Sequence, residues 1–148
     1  MHLTTHTDFG LRLLMYLHVH ALRSPGECVS AREVAEAYDI SVHHLAKVAQ
    51  QLTQLGWVDS RRGRGGGLTL RPETATLPLG EVVRALESAV LVECFGDHGN
   101  CAIAPACRLK GVLAGALEAF YASLDAYTLA DLTRSPKRLT QILLGRRP

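Results

Sequence analysis

Residues 41–70 read Ser41-Val42-His43-His44-Leu45-Ala46-Lys47-Val48-Ala49-Gln50-Gln51-Leu52-Thr53-Gln54-Leu55-Gly56-Trp57-Val58-Asp59-Ser60-Arg61-Arg62-Gly63-Arg64-Gly65-Gly66-Gly67-Leu68-Thr69-Leu70. Leu45, Val48, Leu52 and Leu55 recur at three- and four-residue spacing, which lines one face of a helix. Ser41 stands where an N-cap hydroxyl accepts from first-turn amides, and Gly56 stands where a left-handed residue closes the last turn. Past Gly56, the segments 57–60 and 68–70 have strand character and flank a glycine-rich tip carrying Arg61, Arg62 and Arg64. A helix followed by a thin basic hairpin is half of a recognisable module.

The other half lies upstream. Phe9, Leu13, Leu14, Leu17 and Leu22 predict a first helix from Asp8 to about Leu22, stopped by Ser24-Pro25-Gly26. Ser30-Ala31-Arg32-Glu33 has the form of a capping box and opens a short second helix containing Val34, Ala35 and Tyr38. Asp39-Ile40 makes the tight turn into the helix capped by Ser41. Helix, short helix, turn, helix and basic hairpin, in that order, specify a mainly α chain: a winged helix-turn-helix over residues 1–75.

Residues 76–148 are predicted to be mostly helical. Leu79, Val82, Val83 and Leu86 mark a fourth helix from Leu79 to about Val92, and 93–104 is a loop holding two cysteines. Pro105 suits a first helical position and opens a helix to about Leu124. Its stripe is Leu109, Val112, Leu113, Ala116, Leu117, Phe120 and Leu124, beside a small-residue row of Gly111, Gly115 and Ala119. That stripe fits either a dimerisation helix or packing within one protomer.

Composition narrows the class. At 148 residues with 47% hydrophobic content, the chain has enough apolar material for a packed core. The net charge is +2, and each half carries 8 Lys/Arg against 7 Asp/Glu, so nucleic-acid contact has to come from local clusters. The absence of a long apolar run or a basic leader argues for a cytoplasmic protein without membrane contact.

On the third helix, Ser41, His43, His44, Lys47 and Gln50, with Gln51 beyond them, lie off the apolar stripe. Such side chains suit base edges and phosphates in a major groove. Arg61, Arg62 and Arg64 on a glycine hairpin suit a narrow minor groove of double-stranded DNA. Alone, each cluster reads equally well as a solvated face or an incidental surface turn; their order favours DNA. The glycine run is no nucleotide loop, because no Lys-Ser/Thr pair and helix start follow it.

Four cysteines in a reducing compartment point to metal or redox chemistry before disulfides. Cys94, Cys101 and Cys107 lie within fourteen residues, and the segment Glu93 to Asn100 is polar and glycine-containing, whereas Cys28 stands alone and carries no role. Their spacing lacks the close pairs of a zinc finger, and soft thiolates suit an iron–sulfur cluster. Cys107 falls in the first turn of the helix opened by Pro105, where the helix dipole favours a negatively charged cluster. Three buried cysteines acting as small hydrophobes are the bland alternative. A fourth ligand stays open. Asp8 reads as the acidic end of a Thr5-x-x-Asp8 cap or as a favourable charge at a helix start. No nucleophile–base or paired-carboxylate arrangement points to an enzyme.

These residues resemble the family of winged-helix iron–sulfur regulators, almost end to end. The likeness runs through Thr5-x-x-Asp8-Phe9-Gly10-Leu11-Arg12, His43-His44-Leu45-x-Lys47-Val48 and Arg62-Gly63-Arg64-Gly65-Gly66-Gly67-Leu68. It continues through Cys101-x3-Pro105-x-Cys107-Arg108-Leu109-Lys110 and Tyr127-Thr128-Leu129-Ala130-Asp131-Leu132. The last two stretches are similar to its nitric-oxide-sensing branch. The cluster-assembly branch places a histidine ligand where this chain has Lys110. The nitric-oxide-sensing branch uses a first-helix aspartate from the partner subunit, and Asp8 matches it. One departure is the six-residue gap between Cys94 and Cys101, a residue longer than is common in the family, which bears on loop conformation more than on ligation. The resemblance therefore implies a homodimeric repressor of a palindromic operator, released when nitric oxide reaches a 4Fe–4S cluster on Cys94, Cys101, Cys107 and the partner's Asp8. A 2Fe–2S regulator of cluster assembly and a zinc-binding winged-helix regulator are the competing expectations.

Overall fold

A computed structural model of the protein describes residues 3–87, 91–96, 101–134 and 136–145. Its order is α1 (Thr5–Arg23), α2 (Ala31–Tyr38), α3 (Val42–Gln54), β1 (Val58–Arg61), β2 (Gly67–Leu70), α4 (Leu79–Leu86), α5 (Arg108–Asp125), α6 (Leu129–Leu132) and α7 (Pro136–Leu143). This is the expected winged helix-turn-helix followed by helices. Among the described residues no helix is long and apolar enough to cross a membrane.

The core forms where α1 meets α2, α3, the hairpin and α4. Leu13, Leu14, Leu17 and Val19 of α1 and Leu45, Val48 and Leu52 of α3 are at most 2% exposed. Burying each such side chain contributes about 1.5–3 kcal/mol before the entropy of ordering is counted. Gly10 lies against the Leu86 side chain, letting α1 approach α4 closely. Leu22 and Leu55, expected on the apolar faces, are instead exposed. Leu22 lies in the last turn of α1 and Leu55 is the C-cap residue of α3, where each helix ends.

The caps follow the sequence with small shifts. Thr4, not Thr5, caps α1 and accepts from the Thr7 amide at 3.3 Å. Ser30 accepts from the Glu33 amide at 3.1 Å, while the Glu33 carboxylate accepts from the Tyr16 hydroxyl at 3.3 Å. Asp39 takes a left-handed φ of 54° and hands the chain from α2 to Ser41. Gly56, at φ 75°, turns α3 into β1.

The hairpin is antiparallel, with Val58 opposite Leu70 and Arg61 opposite Gly67. Val29 and Leu68 exchange backbone hydrogen bonds of 2.9 and 2.7 Å, which fastens the hairpin to the segment before α2. Buried Thr74 donates to the Trp57 carbonyl at 2.8 Å and holds the far end.

Two boundaries differ from expectation. α4 stops at Leu86 rather than near Val92, which is extended (φ −144°, ψ 152°). The reason is Glu87: its carboxylate accepts from the Thr4 amide at 2.9 Å and the Thr7 hydroxyl at 3.0 Å, drawing the chain off the helix axis onto the start of α1. Pro105 belongs to a 3-10 turn, Ala104–Ala106, and α5 begins only at Arg108 with Cys107 as its N-cap residue. Toward its C-terminal end α5 is clamped to α4. Arg84 donates to both Asp125 carboxylate oxygens at 3.1 and 2.9 Å and lies 4.4 Å from the Tyr121 ring centre.

Candidate DNA interface and cluster-binding residues

The face of α3 opposite its buried stripe presents His43, His44, Lys47 and Gln50 to solvent. Ser41 starts the face and accepts from the His44 amide at 3.5 Å. The His44 ring tilts toward Phe9 of α1, with centres 6.4 Å apart, so α1 and α3 together frame this surface. A cavity of about 250 Å³ lies between them, with a floor of Phe9 and Val48 and a rim of His6, His44 and Lys47.

The hairpin tip carries a second positive surface. Gly63 and Gly65 have φ of 95° and 80°, values that side-chain-bearing residues rarely adopt, and the Gly66 amide donates to the Gly63 carbonyl at 3.0 Å. This tight turn leaves Arg61, Arg62 and Arg64 exposed, and none forms an ion pair with a described residue. The neighbouring Arg71 differs: it is held by Asp59 at 2.9 Å along the strand.

Gln51 does not belong to the outward face. Its Oε1 lies 2.5 Å from His6 Nε2, and its amide nitrogen donates to the Ala85 carbonyl at 3.1 Å. The signal was present in the sequence. Residue 51 stands three after Val48 and four before Leu55, at the edge of the apolar stripe.

All four cysteines are free thiols. Cys94 lies in the 3-10 turn Glu93–Phe95, Cys107 stands at the N-cap position of α5 without a side-chain capping bond, and exposed Cys101 lies just before the second 3-10 turn. Residues 97–100 between Cys94 and Cys101 lie outside the described residues. Among the described residues no group of three or more His, Cys, Asp or Glu side chains comes together as a metal site. Asp8 is on α1, where its carboxylate pairs with Arg12 at 2.9 Å and takes no part in the side-chain cap that Thr4 makes. The donor set fits a thiophilic iron centre chemically: three unbridged thiols, partly or fully open, with one at a helix start. Cys28 stands apart, half-buried next to the hairpin base.

Glu87 and Thr128 were not found from the sequence. Glu87 acts across 83 residues on Thr4, and no local pattern reports such a contact. Thr128 and Asp131 form a reciprocal capping box on α6, legible as Thr-x-x-Asp. Its amide and hydroxyl bonds hold the Asp131 carboxyl below the usual carboxylate range.

Comparison with known proteins places these observations. A family model described as Rrf2, iron-dependent transcriptional regulator, matches residues 3–135. The chain is 43% identical over 149 residues to the HTH-type transcriptional regulator NsrR of Geobacillus kaustophilus (strain HTA426), covering 99% of each chain. It is 45% identical over 145 residues to the protein of the same name from Bacillus subtilis (strain 168), covering 97% of each. The fold is similar to that of CymR (YrzC), the global cysteine regulator of B. subtilis, with a TM-score of 0.67 and 25% identity over 90% of this chain and 97% of that one. These relatives are transcriptional regulators, not enzymes.

Proposed function

Because this chain belongs to the Rrf2 family of iron-dependent transcriptional regulators, we propose that it is a cytoplasmic, homodimeric repressor that senses nitric oxide through an iron–sulfur cluster. Residues 1–75 read DNA, and residues 76–148 carry the cluster ligands and the dimer seam. The observation that carries the reading is the combination, in one chain, of an exposed face on α3 with three free thiols in the segment that leads into α5.

Ser41, His43, His44, Lys47 and Gln50 face the major groove of a palindromic operator, with Arg61, Arg62 and Arg64 in the adjacent minor groove. Unpaired cations are suited to phosphate because no internal carboxylate has to be displaced first. Cys94, Cys101 and Cys107 hold the cluster, of the 4Fe–4S type, and Asp8 of the partner subunit completes its ligand set. When bound, the cluster would supply thiolate-ligated iron able to react with nitric oxide. The chain's own residues supply the rest. One carboxylate among three soft thiolates makes Asp8 the weakest donor. Because Asp8 lies on α1, a cluster ligated by it across the dimer would tie one protomer's sensor segment to the other's reading module.

The α5 surface supports the dimer. In the single chain no α5 residue is buried; Leu109 and Val112 are 61% and 67% exposed, and Gly111 and Gly115 face open space. An apolar stripe beside a small-residue row suits close approach of a second α5.

The test is operator binding. Protein purified without oxygen is used to select a duplex from a random-sequence pool, and affinity is measured before and after nitric oxide is added. The reading expects a palindrome and loss of binding on addition. Binding unaffected by nitric oxide would contradict it, and a zinc-loaded or colourless protein that still binds would identify a different regulator.

A further inference from the structure

Gln51 joins three helices at a point that no DNA-facing residue occupies. It sits on α3, its Oε1 is 2.5 Å from His6 Nε2 in the first turn of α1, and its Nε2 donates to the Ala85 carbonyl in the last turn of α4 at 3.1 Å. Next to this junction, Glu87 fastens the exit of α4 to Thr4 and Thr7. From Glu87 the chain runs on to Cys94, and Asp8 follows Thr4 by one turn of α1. The reading helix thus meets, through one side chain, both elements that lead to the proposed cluster ligands.

We propose that Gln51 is a positioning residue: its amide fixes the tilt of α3 on α1 and α4, so that operator affinity depends on how those two helices sit, without Gln51 touching DNA. The inference rests on α3 being the DNA-reading helix. An amide suits the task because it accepts from one helix and donates to another at the same time. A carboxylate keeps the His6 arm and sets an acceptor against the Ala85 carbonyl; a thioether of similar length loses both arms.

The experiment compares full-length wild type, Gln51→Met and Gln51→Glu on the duplex that wild type selects from a random pool. Kd is measured across a salt series and corrected for the folded fraction from thermal melts. Gln51→Met is expected to weaken binding roughly tenfold, the scale of one or two missing hydrogen bonds, and Gln51→Glu is expected to weaken it as well. The salt slope and the selected consensus are expected to match wild type, because every group that meets a phosphate or a base is still in place. An unchanged Kd in folded Gln51→Met overturns the inference. So does a shallower salt slope or a changed consensus, since either means that Gln51 touches DNA directly. Should Gln51→Met fail to fold, Gln51→Glu decides alone: wild-type affinity in its folded fraction overturns the inference, and weakened affinity at wild-type slope sustains it. Failure of the wild-type chain to select any duplex removes the DNA-reading assignment, and the inference with it.

Discussion

Asp8 and Arg12 face each other across one turn of α1, with Arg12 Nε 3.0 Å from Asp8 Oδ1 and Nη2 2.9 Å from Oδ2. The guanidinium also lies 5.8 Å from the Tyr38 ring centre. Both charged side chains are close to half exposed, at 41% and 45%, and such a pair contributes less than about 1 kcal/mol. Asp8 can exchange this partner for another at little cost to the fold.

Asp8→Ala is therefore expected to shift the absorption spectrum of the iron-loaded protein and make the cluster more labile to oxygen, while the fold loses at most about 1 kcal/mol. Operator affinity should fall although no DNA-facing residue has changed. Mixed dimers place the ligand: an Asp8→Ala chain paired with a chain lacking Cys94, Cys101 and Cys107 should keep a normal site. An altered spectrum in that pairing would contradict ligation across the interface.

The cysteines separate cleanly. Replacing Cys94, Cys101 or Cys107 by Ala should remove bound iron and sulfide, whereas Cys28→Ala should leave both unchanged. Iron retained in Cys101→Ala would remove the sensor assignment.

At the hairpin, Arg62→Ala and Arg64→Ala should each weaken operator binding and flatten the salt dependence by about one unit of slope for each phosphate no longer neutralised. Iron content should not change. Replacing His43, His44 or Lys47 should instead relax base preference, read by repeating the selection. Wild-type affinity in the Arg62/Arg64 double variant at physiological salt would argue against the hairpin's role.

His18 sets an acid limit on the fold. Its Nδ1 is 2.7 Å from the hydroxyl of buried Thr133, and burial holds its pKa below the ordinary 6.5. A histidine whose folded pKa is depressed contributes stability that is fully present above pH 6.5 and disappears as pH falls through the folded value. Melting midpoints taken from about pH 7.5 down to about pH 5 should fall less steeply in His18→Asn than in wild type. Parallel curves would show that His18 carries none of the dependence.

The fold was readable because its local signals agree: capping hydroxyls at Ser30 and Ser41, a left-handed closure at Gly56, and a single apolar face on α3. What could not be read depends on distant partners. Nothing near Glu87 in the sequence reports Thr4, yet that hydrogen bond ends α4 early. Pro105 suits a helix start as well as a 3-10 turn, so the beginning of α5 was misplaced by three residues, 105 against 108. The exposed face of α3 was legible from spacing, as was the place of Gln51 at the edge of the apolar stripe; its partners His6 and Ala85, distant in sequence, were not. The cysteine set was legible as chemistry; Asp8 entered only through family resemblance.

The absorption spectrum of the full chain purified without oxygen, taken with its iron and sulfide content, decides whether the three cysteines hold a cluster. A cluster there gives a brown protein with a broad visible band and iron and sulfide in equal amounts, bleached by nitric oxide and absent from Cys101→Ala. A colourless protein, with zinc or with no metal on the same three cysteines, would contradict the proposal.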